Sequence, residues 1–284
     1  MAAHTQTVVE LEHLDQNIIN EHHKTRASPP STALQSPANT TSGQPGPLVV
    51  ASDVETILSP LPTNRAAIVI IQLAGINFIT SFSNGLVTVG LPAMAEDLNL
   101  PSNLLLWPMN AYALTSASCL LLAGAVADII GTRKVNLVGC FFIAVFILVS
   151  GFSQTGIQLI MFRAMHGAAG AMALPSSLSI ISRSIASGRP RNIGFGCLGL
   201  AMPLGFSFGM VLAGVFIDGP GWRIGFYLGG AVSLLLFTVG IWALPKDVPS
   251  HTQLSTWKRL ATEIDWIGAA LASTAIALFS YVLA

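Results

Sequence analysis

The chain has 284 residues, of which 52% are hydrophobic and only 9% carry charge. Soluble domains average roughly 25% charged residues, so a water-surrounded globule is excluded. The formal net charge of zero gives no electrostatic basis for a nucleic-acid partner.

The first 64 residues stand apart from the rest. They are rich in Ser, Thr, Pro and Gln, as in Ser28-Pro29-Pro30-Ser31 and Ser42-Gly43-Gln44-Pro45-Gly46-Pro47. Such a composition buries too little apolar surface to offset the entropy of ordering, and it predicts a disordered tail over 1–64. Beyond it the chain is a series of long apolar runs at 66–92, 104–127, 135–152, 157–182, 192–217 and 224–245, followed by 266–284. A bilayer core about 30 Å thick needs ~20 apolar residues at ~1.5 Å rise. In lipid each backbone group must be paired within its own segment, so these runs are expected to be helices. The prediction is an all-α membrane protein with six spans over 65–245, a linker at 246–264 and a seventh span from 265. In the linker Leu254, Trp257, Leu260, Ala261 and Ile264 recur at helical spacing, which fits either an interfacial helix or a solvated linker.

Orientation follows from the basic residues. With the N-terminus in the cytosol, eleven of the thirteen Lys and Arg fall on that side, among them Arg65, Arg133, Lys134, Arg183, Arg189 and Arg191. Arg223 falls on the opposite side, beside Glu96, Asp97 and Asp218. The excess of basic residues on one side predicts a cytosolic N-terminus. Cys119, Cys140 and Cys197 lie in apolar runs without metal-ligand spacing and are read as buried small hydrophobes, so no metal or cofactor is expected.

Three stretches carry more than topology. The turn after the second run reads Gly124-Ala125-Val126-Ala127-Asp128-Ile129-Ile130-Gly131-Thr132-Arg133-Lys134. Gly131 permits a sharp reversal, and Asp128 can pair with Arg133 or Lys134. The fourth run contains Arg163, the one charged residue within the first six, with His166 three residues on and hence on a similar face. An arginine within hydrocarbon costs at least ~3 kcal/mol and must face the bundle interior, face a wet cavity or snorkel outward. The fifth run holds Pro203 and the pair Gly205 and Gly209, whose spacing permits close helix approach.

The turn resembles the loop signature of the major facilitator superfamily, and Arg163-Ala164-Met165-His166-Gly167 resembles that family's fourth-span motif with His in place of Gln. Trp107, Asn110, Tyr112 and Gly221-Trp222-Arg223 are also similar to the family, and the fourteen-span drug:proton antiporters of fungi fit best. The resemblance implies a fold made of the six-span N-terminal half of a major facilitator bundle plus the start of a seventh span. It implies rocking of two halves about a central site and proton-coupled export of a small organic substrate from the plasma membrane. By this resemblance Gly124, Asp128, Gly131, Arg133 and Lys134 form a conformational switch. Arg163 and His166 become proton-coupling residues, and Pro203, Gly205 and Gly209 a helix interface. Ser83, Asn84, Asn110 and Tyr112 become cleft residues. The expected partners are membrane lipid, substrate and protons, but no nucleic acid.

Two departures from the family stand out. Ser83 sits where the antiporter group carries a first-span Asp, which leaves His166, with an unperturbed pKa near ~6.5, to hold a proton in this half. The chain also stops in its seventh span, which reads as a truncated transporter. Such a chain works as a homodimer, or it is a non-transporting remnant or regulator that associates with a full-length transporter. An enzyme is not expected, because the spans hold neither an acid pair nor a nucleophilic triad.

Overall fold

A computed structural model of the protein describes residues 62–245 and 266–283. The expected N-terminal tail and the 246–264 linker therefore lie outside the described residues, apart from the last few positions of the tail. Seven helices follow in order: α1 Thr63–Asp97, α2 Trp107–Ile130, α3 Thr132–Gly151, α4 Gly156–Ser184, α5 Arg189–Asp218, α6 Arg223–Ala243 and α7 Trp266–Leu283. The first six are long and apolar enough to cross a membrane. Among the described residues there is no strand, and the protein is an integral multi-pass membrane protein. The 18 residues of α7 reach about 27 Å at ~1.5 Å per residue.

Local signals set the helix ends. The Thr155 hydroxyl caps α4 by accepting from the Gln158 backbone N–H at 3.3 Å, and the Gln158 side chain accepts from the Gln154 N–H at 2.9 Å. This Thr-x-x-Gln arrangement satisfies donors that a helix start leaves open. The α2–α3 reversal is made by Gly131 alone, at φ 115°. A side chain is strained at that φ. Pro92, Pro175 and Pro203 stand inside α1, α4 and α5 without ending them. Neighbouring helices supply the surroundings that tolerate such breaks in membranes.

Buried residues account for 67% of the most apolar stretch of α1 but 11% of that of α2, so α1 runs through the centre and α2 along the rim. α1 packs on α5 and α6, α4 lies between α2 and α3, and α3 packs on α6. One apolar core gathers Phe82, Leu86, Met94, Ile147 and Phe226. A second, toward the other end, gathers Val69, Leu73, Ile181, Leu198 and Leu244. α7 packs against α2, where the Ser273 hydroxyl donates to the Ser118 carbonyl at 2.5 Å.

The α1–α5 crossing is backbone on backbone. A Cβ built on Gly205 would meet the Phe78 carbonyl, one on Gly209 the Phe82 carbonyl, and one on Gly85 the Phe206 carbonyl. Without a hydrophobic drive between helices in lipid, such close approach supplies the packing attraction. Gly199, on the same helix, has nothing within 4 Å of the equivalent position. Gly209→Val is therefore expected to destabilise the purified protein by about 1–3 kcal/mol, the range for overpacking. Gly199→Ala should leave thermal unfolding in detergent unchanged; equal effects of the two would refute this account of the crossing.

Candidate functional site

The fourth span places its charge inward. Arg163 is 1% exposed and His166 is fully buried. The guanidinium draws on three helices. Its Nε donates to the Pro108 carbonyl at the start of α2 at 3.2 Å. Nη1 donates to the Ser83 hydroxyl of α1 at 3.3 Å and to His166 Nδ1 at 3.0 Å. Nη2 donates to the Asn84 side-chain carbonyl. The Tyr112 ring covers the cation, 4.7 Å from Cζ to ring centre, and also stands 5.1 Å from the His166 ring. Cation–π contact of this kind adds attraction where water is scarce.

Every acceptor around Arg163 is neutral. Among the described residues no carboxylate contacts it. Arginine only donates, so His166 Nδ1 must be an acceptor, which makes the ring neutral with its proton on Nε2. That Nε2 is buried and without a hydrogen-bond partner.

Packing behind the pair is tight. A Cβ on Gly167 would strike the Tyr112 carbonyl and the Thr115 hydroxyl, and Thr115 donates to the Ala164 carbonyl at 2.7 Å. Gly167 and Gly170 thus let α2 and α4 close up beside the charge. Of the expected cleft residues, Ser83, Asn84 and Tyr112 meet at Arg163. Asn110 does not join them. It is half-buried, two residues before Tyr112, and so turned about 200° away on the helix.

The turn signature reaches beyond its own loop. The Asp128 carboxylate pairs with Arg183 at the end of α4, at 3.0 Å, across helices. Arg133 Nη2 donates to the Ile241 carbonyl of α6 at 2.8 Å. The reason is Gly131: its single-residue reversal starts α3 at Thr132, which points Arg133 toward α6, while Asp128 ends α2 beside α4. Gly124 faces Pro175 of α4 at ordinary contact distance, 3.9 Å for a built Cβ. The signature therefore ties α2 to α4 and α3 to α6.

The opposite end has its own latch. Asp97 of α1 accepts from Trp222 Nε1 at 3.2 Å and from Arg223 Nη1. Arg223 Nη2 donates to the Ser153 carbonyl at 3.2 Å and its guanidinium lies over the Trp222 ring.

One polar group went unread in the sequence. The Asn136 amide of α3 donates to the hydroxyls of Ser176 and Ser177 of α4 at 3.0 and 3.1 Å, and its carbonyl accepts from Cys140 at 3.5 Å. The Gln72 amide of α1 approaches Cys140 at 3.9 Å. All five are fully buried. The signal was there: Gln72 and Asn136 are amides inside runs of otherwise apolar residues. Cys140 is buried as expected, whereas Cys119 and Cys197 are only half-buried.

A bundle of membrane-crossing helices with a buried cation shared by three of them defines a class of polytopic membrane protein built around a polar centre. The family model described as Major Facilitator Superfamily matches residues 73–284. The chain belongs to the major facilitator superfamily. It is 34% identical to MFS-type transporter 1 of Pyricularia oryzae over 93% of this chain and 48% of that protein. It is 29% identical to the cephamycin export protein CmcT of Amycolatopsis lactamdurans, over 77% of this chain and 43% of that one. It is 26% identical to the multidrug transporter mdr3 of Aspergillus fumigatus, over 61% and 33% respectively. The chain thus spans half or less of the length of these relatives. Among solved structures, the human organic anion transporter MFSD10 superposes with a TM-score of 0.53 at 18% identity, over 77% of this chain and 55% of that one.

The side chains of Arg183 and Asp128 are 60% and 63% exposed. A pair so exposed couples weakly, below about 1 kcal/mol. A double-mutant cycle with Asp128→Asn and Arg183→Gln, read by thermal unfolding, should give a coupling energy under that value. A coupling of several kcal/mol would mean the latch is a structural pillar.

Proposed function

We propose that this chain is the N-terminal, six-helix half, with the start of a seventh span, of a transporter that moves small organic molecules across a membrane, of the proton-coupled export type. Its N-terminus lies in the cytosol, and the plasma membrane is the expected site. The observation that carries the reading is the fully buried Arg163–His166 pair, held between α1, α2 and α4 by neutral groups alone. The family match and the export-type names of relatives support the same class. The basic residues Arg133, Arg183, Arg189 and Arg191, all at the α2–α3 and α4–α5 turns, support the orientation.

The coupling chemistry is a competition. His166 Nδ1 accepts from Arg163 only while the ring is neutral. A proton arriving at Nδ1 turns that acceptor into a donor facing a cation. Arg163 must then shift its hydrogen bonds, and the shift reaches Ser83 and Asn84 on α1 and Pro108 on α2. Protonation and the present arrangement of three helices exclude one another, which is the linkage that alternating access requires. Asp128–Arg183 at one end and Asp97–Arg223 at the other are ties that break and re-form as the helices rock.

The test is transport of the fluorescent dye ethidium by the purified chain in proteoliposomes under an imposed pH gradient. With two copies of the chain supplying the two halves, gradient-driven flux is expected in the parent protein and is expected to fall at least about tenfold in His166→Ala, the ~1.4 kcal/mol scale of one lost hydrogen-bond competition. Undiminished gradient-driven flux in His166→Ala would sink the proton role. No flux at all from the parent would sink transport by this chain.

A further inference from the structure

We infer that the α1–α6 groove at the basic end of the bundle is a binding site for an anionic phospholipid. The groove has a volume of about 330 Å³ and is lined by Arg65, Ile68, Thr238, Val239, Trp242 and Ala243. Its lining is apolar apart from Arg65 and the Thr238 hydroxyl, which already donates to the Leu234 carbonyl. Arg65, the third residue of α1, is exposed and makes no hydrogen bond or ion pair among the described residues. Trp242, next to last in α6, is 81% exposed, and Ile68 is 46% exposed.

These features have one common occupant. A guanidinium with no partner among the described residues attracts a phosphate and forks onto two of its oxygens. The apolar lining from Ile68, Val239 and Ala243 suits an acyl chain. A tryptophan at a helix end is the side chain that sits at headgroup depth. Arg133 adds a second positive charge nearby, since it is bonded to the carbonyl of Ile241, the residue before Trp242. In a bilayer the acyl chain gains nothing by leaving one apolar place for another, so selectivity must come from the headgroup. A zwitterionic lipid such as phosphatidylcholine also offers Arg65 a phosphate, but its choline cation offsets that charge, so a net-anionic headgroup is favoured. The site touches none of the residues around Arg163 and does not depend on whether the chain carries flux.

The experiment reads tryptophan quenching in vesicles of phosphatidylcholine that contain the full chain. A minor share of the lipid is brominated on its acyl chains, either as phosphatidylglycerol or as phosphatidylcholine. Brominated phosphatidylglycerol is expected to quench more, through a local enrichment of about fivefold, which is the ~1 kcal/mol that one basic residue contributes at an anionic surface. The excess should vanish in Arg65→Gln, persist in Arg65→Lys, and vanish in Trp242→Phe because the reporting ring is gone. Equal quenching by the two lipids would overturn the proposal, as would an excess that survives Arg65→Gln or Trp242→Phe. Loss of the excess on adding inorganic phosphate would point to a soluble anion instead and would overturn the lipid reading.

Discussion

A guanidinium buried where a bilayer would surround it is the constraint from which much of this fold follows. Removing an arginine from water costs more than any single helix can return. Arg163 resolves the conflict by taking acceptors from three helices at once: Ser83 and Asn84 of α1, the Pro108 carbonyl of α2 and His166 of α4. Each helix is thereby fixed relative to the others at one depth. The small residues beside it, above all Gly167, are what let α2 and α4 come close enough for the bonds to form. On the far side of α1, Gly205 and Gly209 do the same for α5. The central helix is held from both sides, by polar bonds on one and by backbone contact on the other.

Ser83 sets the electrostatics of that centre, because it offers Arg163 a neutral hydroxyl. A carboxylate there would neutralise Arg163 directly. The serine leaves the cation with neutral acceptors among the described residues, and His166 is the ionisable side chain within hydrogen-bond reach of it. In the proposed coupling the same ring both accepts from Arg163 and takes up a proton; it cannot do both at Nδ1, and that conflict would give the proposed site its two states.

The spans were legible because lipid leaves a chain few choices. Runs of ~20 apolar residues must be helices, and the observed helices fall within a few residues of the apolar runs. Arg163 was legible for the same reason: a charge in such a run needs partners. The partners themselves were only partly legible. Ser83, Asn84 and Tyr112 were singled out as polar groups on apolar helices, but so was Asn110, which the helix rotation turns elsewhere. The Pro108 carbonyl could not be read, since a backbone acceptor has no residue-type signature. For Asp128 the sequence offered partners in its own loop, because sequence distance was the available guide. Its partner Arg183 lies 55 positions on and is near only because α2 and α4 pack together. The Asn136–Ser176–Ser177 cluster was hidden by the same long-range pairing of α3 with α4.

Hydrogen–deuterium exchange on the purified protein, compared between the parent and Arg163→Met, tests most directly whether Arg163 joins the three helices. Methionine keeps much of the volume and removes the donors. Exchange is predicted to rise at 80–88 of α1, at 106–113 of α2 and around 163–167 of α4, while α3 and α6 stay as protected as before. An unchanged pattern at α1 and α2, or a uniform rise over the whole bundle, would contradict the claim that this one side chain fixes those helices to each other.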